Sequence, residues 1–120
     1  MSEEITEQHM HILRSLGKKY AKAKGELSFL DHNRKILLAK LMKEYMINSN
    51  TGKLDSVASQ EREARADQRY IDHIKALAIA VQNEAELSYE KIIININFET
   101  WKTKMINQIK EYKNYGNKKL

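Results

Sequence analysis

Neither cysteine nor proline occurs anywhere in the 120 residues, and glycine occurs only four times. The first absence excludes a disulfide framework and any thiolate metal site. The second leaves helices free to run without the break that proline's ring and missing N–H impose. No apolar run approaches the roughly 20 residues that a membrane-spanning helix needs. The opening Met1-Ser2-Glu3-Glu4-Ile5-Thr6-Glu7 is acidic and lacks the apolar stretch of a secretory signal. These absences lead to the expectation of a cytoplasmic protein with no membrane contact.

What the chain has instead is charge at helical spacing. Lysine and arginine number 21 against 16 acidic residues, a net charge of +5, and the pI is near 9.3. The distribution is uneven. From Gly17 to Lys43 eight basic residues face Glu26 and Asp31, and from Trp101 to Leu120 six basic residues face Glu111 alone. Between them, from Asp55 to Glu90, eight acidic residues outnumber four basic ones. A basic balance of this kind favours polyanionic partners.

One clear break interrupts the chain, Asn48-Ser49-Asn50-Thr51-Gly52-Lys53, whose side chains compete for backbone hydrogen bonds and whose glycine tolerates positive φ. Before it, Ile5, Ile12, Leu13, Leu16 and Tyr20, then Leu27, Leu30, Leu37, Leu38, Leu41, Met42 and Tyr45, recur at helical steps. Gly17 and Gly25 are soft interruptions there, so the region from about 5 to 47 reads as one long helix or two shorter ones.

After the break, Tyr70, Ile74, Leu77, Val81 and Ala85 follow steps of three and four, and a second stripe of Leu87, Ile94, Phe98, Trp101, Met105 and Tyr112 continues in the same way. All but Ala85 and Tyr112 form the expected packing or oligomer seam of one long helix, from about 56 to 115. Ile92-Ile93-Ile94-Asn95-Ile96-Asn97-Phe98 alternates as a strand does. Its flanks are helical in period and no second strand candidate exists, so it is assigned to the helix, with isoleucines buried on more than one side. The expected fold is all-α, a single domain over 1–120: an elongated, coiled-coil-like helical hairpin with one long helix in its second half. So long a helix has too little other chain to cover it, which points to a homo-oligomer.

No catalytic or metal constellation emerges. His9, His11, His32 and His73 lack a second histidine at three or four residues' spacing, and packing or surface roles are expected. Thr51-Gly52-Lys53 lacks the rest of a phosphate loop. Glu61, Glu63, Glu84, Glu86 and Glu90 read as a solvated helix face. No cofactor and no enzymatic activity are expected. Lys18, Lys19, Lys22 and Lys24, together with Lys102, Lys104, Lys110, Lys113, Lys118 and Lys119, are the candidate nucleic-acid-binding residues. In a simple hairpin the two groups would add to one patch. Trp101 is assigned to the seam rather than to base stacking.

Val57-Ala58-x-x-Glu61-Arg62-Glu63-Ala64 and Trp101-Lys102-Thr103, set behind a glycine turn and the helix Ile36 to Tyr45, resemble a group of short helical-hairpin bacteriophage proteins. These proteins are encoded among recombination, replication and single-strand-binding genes. The resemblance spans roughly Asp31 to Ile109 and implies a bacterial host cytoplasm. It implies an accessory role in phage DNA recombination or replication, through DNA or a DNA-bound partner. The alternatives are a phage inhibitor of a host defence protein or nuclease, acting by protein binding, and a structural coiled-coil adaptor.

Overall fold

The computed structural model describes the backbone of residues 2–118 and the side chains of residues 6–115. The chain is all-α. Helix α1 spans Ser2–Glu44, α2 spans Val57–Ala66 and α3 spans Gln68–Lys118, 51 residues long. Among the described residues the only β feature is an isolated antiparallel bridge between Ile47 and Leu54. The chain divides into two compact units, one of Tyr20–Ala85 and one of Met1–Lys19 with Glu86–Leu120.

Helix α1 passes through Gly17 and Gly25 without a break, so the first region is one helix and not two. A β-carbon at either glycine would meet nothing within 4 Å. Neither glycine therefore serves a close approach, and each weakens the helix by about 1 kcal/mol relative to alanine.

The expected turn closes through Asn48. Its side-chain Oδ1 accepts from the amides of Asn50 (2.8 Å) and Thr51 (3.3 Å), while its carbonyl accepts from Gly52 N at 2.8 Å. Gly52 takes φ +68°, the conformation that favours glycine. Asp55 N donates to Met46 O at 2.9 Å, which ties the loop's two ends together.

The second half is not one helix. Asp67 adopts φ −66° and ψ 136°, ending α2. Its carbonyl accepts from Ile71 N at 3.0 Å and its Oδ1 accepts from Arg69 N at 2.9 Å, so the same residue caps the start of α3. Ser56 caps α2 in the same manner, accepting from Ser59 N at 3.1 Å.

In the Tyr20–Ala85 unit α1 and α3 run antiparallel. Tyr20 bonds Glu84, Leu30 meets His73 and Tyr45 bonds Asp67, so partners fall in number as α1 rises. The covered positions on α1 include the row Tyr20, Ala23, Leu27, Leu30, Arg34, Leu37 and Leu41, with Asn33, Leu38 and Met42 beside it; on α3 they include the row Tyr70, His73, Leu77, Ala80 and Glu84, with Ile71 beside it. Both rows alternate steps of three and four, the spacing that keeps one stripe of a helix against its neighbour over many turns. Leu41, Ala64 and Tyr70 are buried together, with Leu37, Leu38, Met42 and Tyr45 packed on them. Ile74 and Val81 stand one residue past the row and are 36% and 49% exposed. The row's own positions there hold His73 and Ala80.

In the other unit Leu16 is buried and His9 and Leu13 are half-buried on α1, as are Leu87, Ile94, Phe98, Trp101 and Met105 on α3. Residues 92–97 are helical within α3, yet Ile92, Ile93 and Ile96 are 53%, 39% and 57% exposed. Only Ile94 of this cluster turns inward. Burial on more than one side, expected from the sequence, does not occur within the single chain.

Candidate nucleic-acid interface

The ring of His9 stacks on Phe98 with centroids 3.9 Å apart and planes 15° from parallel, and Trp101 lies against Phe98 at 5.7 Å. This contact fixes how far α1 can cover α3. Within this unit α1 supplies residues 2–19, at most about ten residues to either side of His9. Whichever way the two segments run, nothing of α1 lies opposite α3 beyond about Gln108.

The uncovered turns carry Ile109, Tyr112 and Tyr115, which are 52%, 79% and 61% exposed. Lys110 and Lys113 alternate with them, and Lys102 and Lys104 are exposed two to three turns earlier. Only Glu111 and Asn114 add polar groups of another kind in this stretch. Lysines at a helix end also complement its dipole, which lets the segment remain helical while uncovered. An exposed aromatic ring among exposed lysines is chemically able to meet a phosphate backbone and to stack a base.

Trp101 lies on the same face of α3 as Tyr112 and Tyr115, about three turns earlier. It is half-buried beside Phe98, while Lys102 and Lys104 around it are exposed. Lys119 and the side chain of Lys118 lie outside the described residues.

The four α1 lysines, Lys18, Lys19, Lys22 and Lys24, are all exposed. Tyr20, between the two pairs, donates its hydroxyl to Glu84 Oε1 at 2.9 Å, and that bond raises the pKa of the phenol. What lies against this stretch of α1 is thus the acidic middle of the chain, not the basic end of α3.

A second charged cluster sits where α1 ends. Arg69 bridges Asp67 (3.0 Å) and Glu44, while Tyr45 donates to Asp67 Oδ2 at 2.8 Å. Arg69 first, then Tyr45, hold the Asp67 carboxyl well below the usual carboxylate range. Asp67 first, then Glu44, push the Arg69 guanidinium further up. Every charge there is paired, so the cluster is a clamp on the α2–α3 break.

His73 Nε2 lies 2.6 Å from Leu30 O and must donate, since a carbonyl only accepts. His9 is held in the ring stack, and His11 and His32 are exposed. Among the described residues no group of three or more His, Asp or Glu side chains is placed to hold a metal, and no helix is long and apolar enough to cross a membrane. Comparison of the chain with protein-family models, with curated proteins and with solved structures finds no match.

Proposed function

We propose that this chain is a non-enzymatic accessory protein of phage DNA recombination or replication, which binds nucleic acid without sequence preference through the basic, uncovered end of α3. The observation that carries the reading is the exposure of Tyr112 between Lys110 and Lys113 on turns with no described α1 residue opposite them, with Lys102 and Lys104 exposed on the turns before. Lysines neutralise phosphates and carry no base code, so affinity should depend on salt rather than on sequence. Lys18, Lys19, Lys22 and Lys24 form a second, separate contact zone in this reading.

The test is fluorescence anisotropy with single- and double-stranded oligonucleotides at about 50 mM salt, where phosphate contacts are favoured. Binding should weaken as salt rises, and K102E/K104E/K110E/K113E should flatten the slope of log affinity against log salt. Tyr112→Ala should weaken single-stranded binding more than double-stranded binding, because a paired base offers no free face to stack. No binding to either form would sink the reading.

A second reading, a phage inhibitor of a host defence protein or nuclease, is supported by the turn. There Ile47, Leu54 and Val57 are 54%, 69% and 68% exposed, a small apolar tip next to the acidic stretch from Asp55. Host-lysate capture that is lost with Leu54→Glu and kept with K102E/K104E/K110E/K113E would favour it.

A further inference from the structure

On α3, directly opposite the row that meets α1, lies a second apolar stripe. Tyr89, Ile92, Ile93 and Ile96 are 65%, 53%, 39% and 57% exposed, and Thr100 and Thr103 continue the line at helical steps. Ile92, Ile96, Thr100 and Thr103 border an open groove of about 570 Å³. Isoleucine on both sides of one helix is costly to leave in water, since each such side chain is worth roughly 1.5–3 kcal/mol when buried.

We propose that this stripe binds a second copy of the same chain, with the two α3 helices antiparallel about a two-fold axis between Ile92 and Ile96. The proposal does not rest on the nucleic-acid reading, although Lys104 borders both surfaces. Two observations identify the occupant.

The first is area. The chain exposes 9682 Å², against roughly 6,700 Å² for a folded monomer of its mass. The excess of about 2,900 Å² exceeds the roughly 800 Å² that each partner buries in a standard interface.

The second is charge. Before the isoleucines the stripe is flanked by Glu86; after them it is flanked on the same side by Lys104, with Glu99 on the other side. An antiparallel copy lays the acidic side of one stripe against the basic side of the other, and Ile92 against Ile96. A parallel copy would lay like charge on like. The two-fold relation makes the interface self-complementary, as a closed dimer requires.

The absence of native cysteine makes the orientation measurable. In sedimentation at micromolar concentration the parent chain should be a dimer. Ile92→Glu with Ile96→Glu should weaken association by at least about tenfold while leaving helicity unchanged, because both positions are exposed in the single chain. Separately prepared Tyr89→Cys and Glu99→Cys chains should form a mixed disulfide when combined and oxidised, and little disulfide within either preparation. A monomeric parent, a double variant that still dimerises, or linkage of each cysteine variant with itself would each overturn the proposal.

Discussion

The two units hold their helices together by different means. In Tyr20–Ala85 long-range hydrogen bonds from Tyr20 to Glu84, His73 to Leu30, Tyr45 to Asp67 and Arg69 to Glu44 accompany a buried cluster centred on Leu41, Ala64 and Tyr70. In the other unit Leu16 is the only buried side chain among the described residues, and an aromatic stack at His9, Phe98 and Trp101 makes the visible tie between the helices. The first unit also has the α2 segment to cover it, since Ala64 is wholly buried. Stability is therefore expected to concentrate near the turn and to fall toward the basic end of α3. That gradient suits a protein whose free end engages a partner.

The largest effect should come from the better-packed unit. Leu41 is 1% exposed, so Leu41→Ala should cost about 3 kcal/mol through lost transfer energy and the cavity left behind. Trp101→Ala, half-buried in the less tied unit, should cost less, about 2 kcal/mol. Denaturant melts by far-UV circular dichroism would check both. Trp101 is also the chain's only tryptophan, so its fluorescence reports the unit it sits in. In the parent chain that signal should change at lower denaturant than the helical signal. Coincident transitions would show that the units unfold together and that the contrast drawn above has no energetic consequence.

The sequence carried the helices and the turn because both rest on local chemistry. Asn48 and Gly52 each had a backbone reason to be where they are. The seam was legible only in part, because a periodic reading counts apolar side chains. It chose Ile74 and Val81, whereas the row passes through His73, Ala80 and Glu84, a hydrogen-bonded ring, a small residue and a carboxylate partnered by Tyr20. The break at Asp67 was hidden for a related reason. An aspartate amid Arg65, Gln68 and Arg69 reads as a solvated face, and only its cap geometry shows that it ends one helix and begins another. The candidate binding end was named by its lysines, but its exposed Tyr112 is distinguished from inward Trp101 only once the His9–Phe98 register is known.

The Asp67 clamp provides a sharper probe of the turn-proximal unit. Its carboxyl is depressed in the folded chain, so the stability it contributes is fully present above its ordinary value of 3.8. That contribution is lost progressively as pH falls below it. Asp67→Asn keeps a side-chain oxygen for the cap but removes the charge facing Arg69. The variant should be less stable than the parent at neutral pH, with the gap closing below about pH 4. A gap that stays constant with pH would mean that the cap alone matters and that the ion pair, exposed at Arg69, contributes nothing.

The smallest expected effects separate the two units most cleanly, because one glycine of α1 lies in each. Gly17 belongs with the Trp101 unit and Gly25 with the Leu41 unit. Both are exposed, helical and open to a β-carbon. Alanine at either should add about 0.5–1 kcal/mol, by restricting the unfolded backbone and favouring the helix, with no change in packing. If the units melt separately, Gly17→Ala should raise the fluorescence midpoint and leave the main dichroism transition nearly unmoved. Gly25→Ala should do the reverse. If both variants raise both midpoints equally, α1 and α3 unfold as one cooperative structure, and the weaker tie at His9 and Phe98 is supported by the helices that run through it.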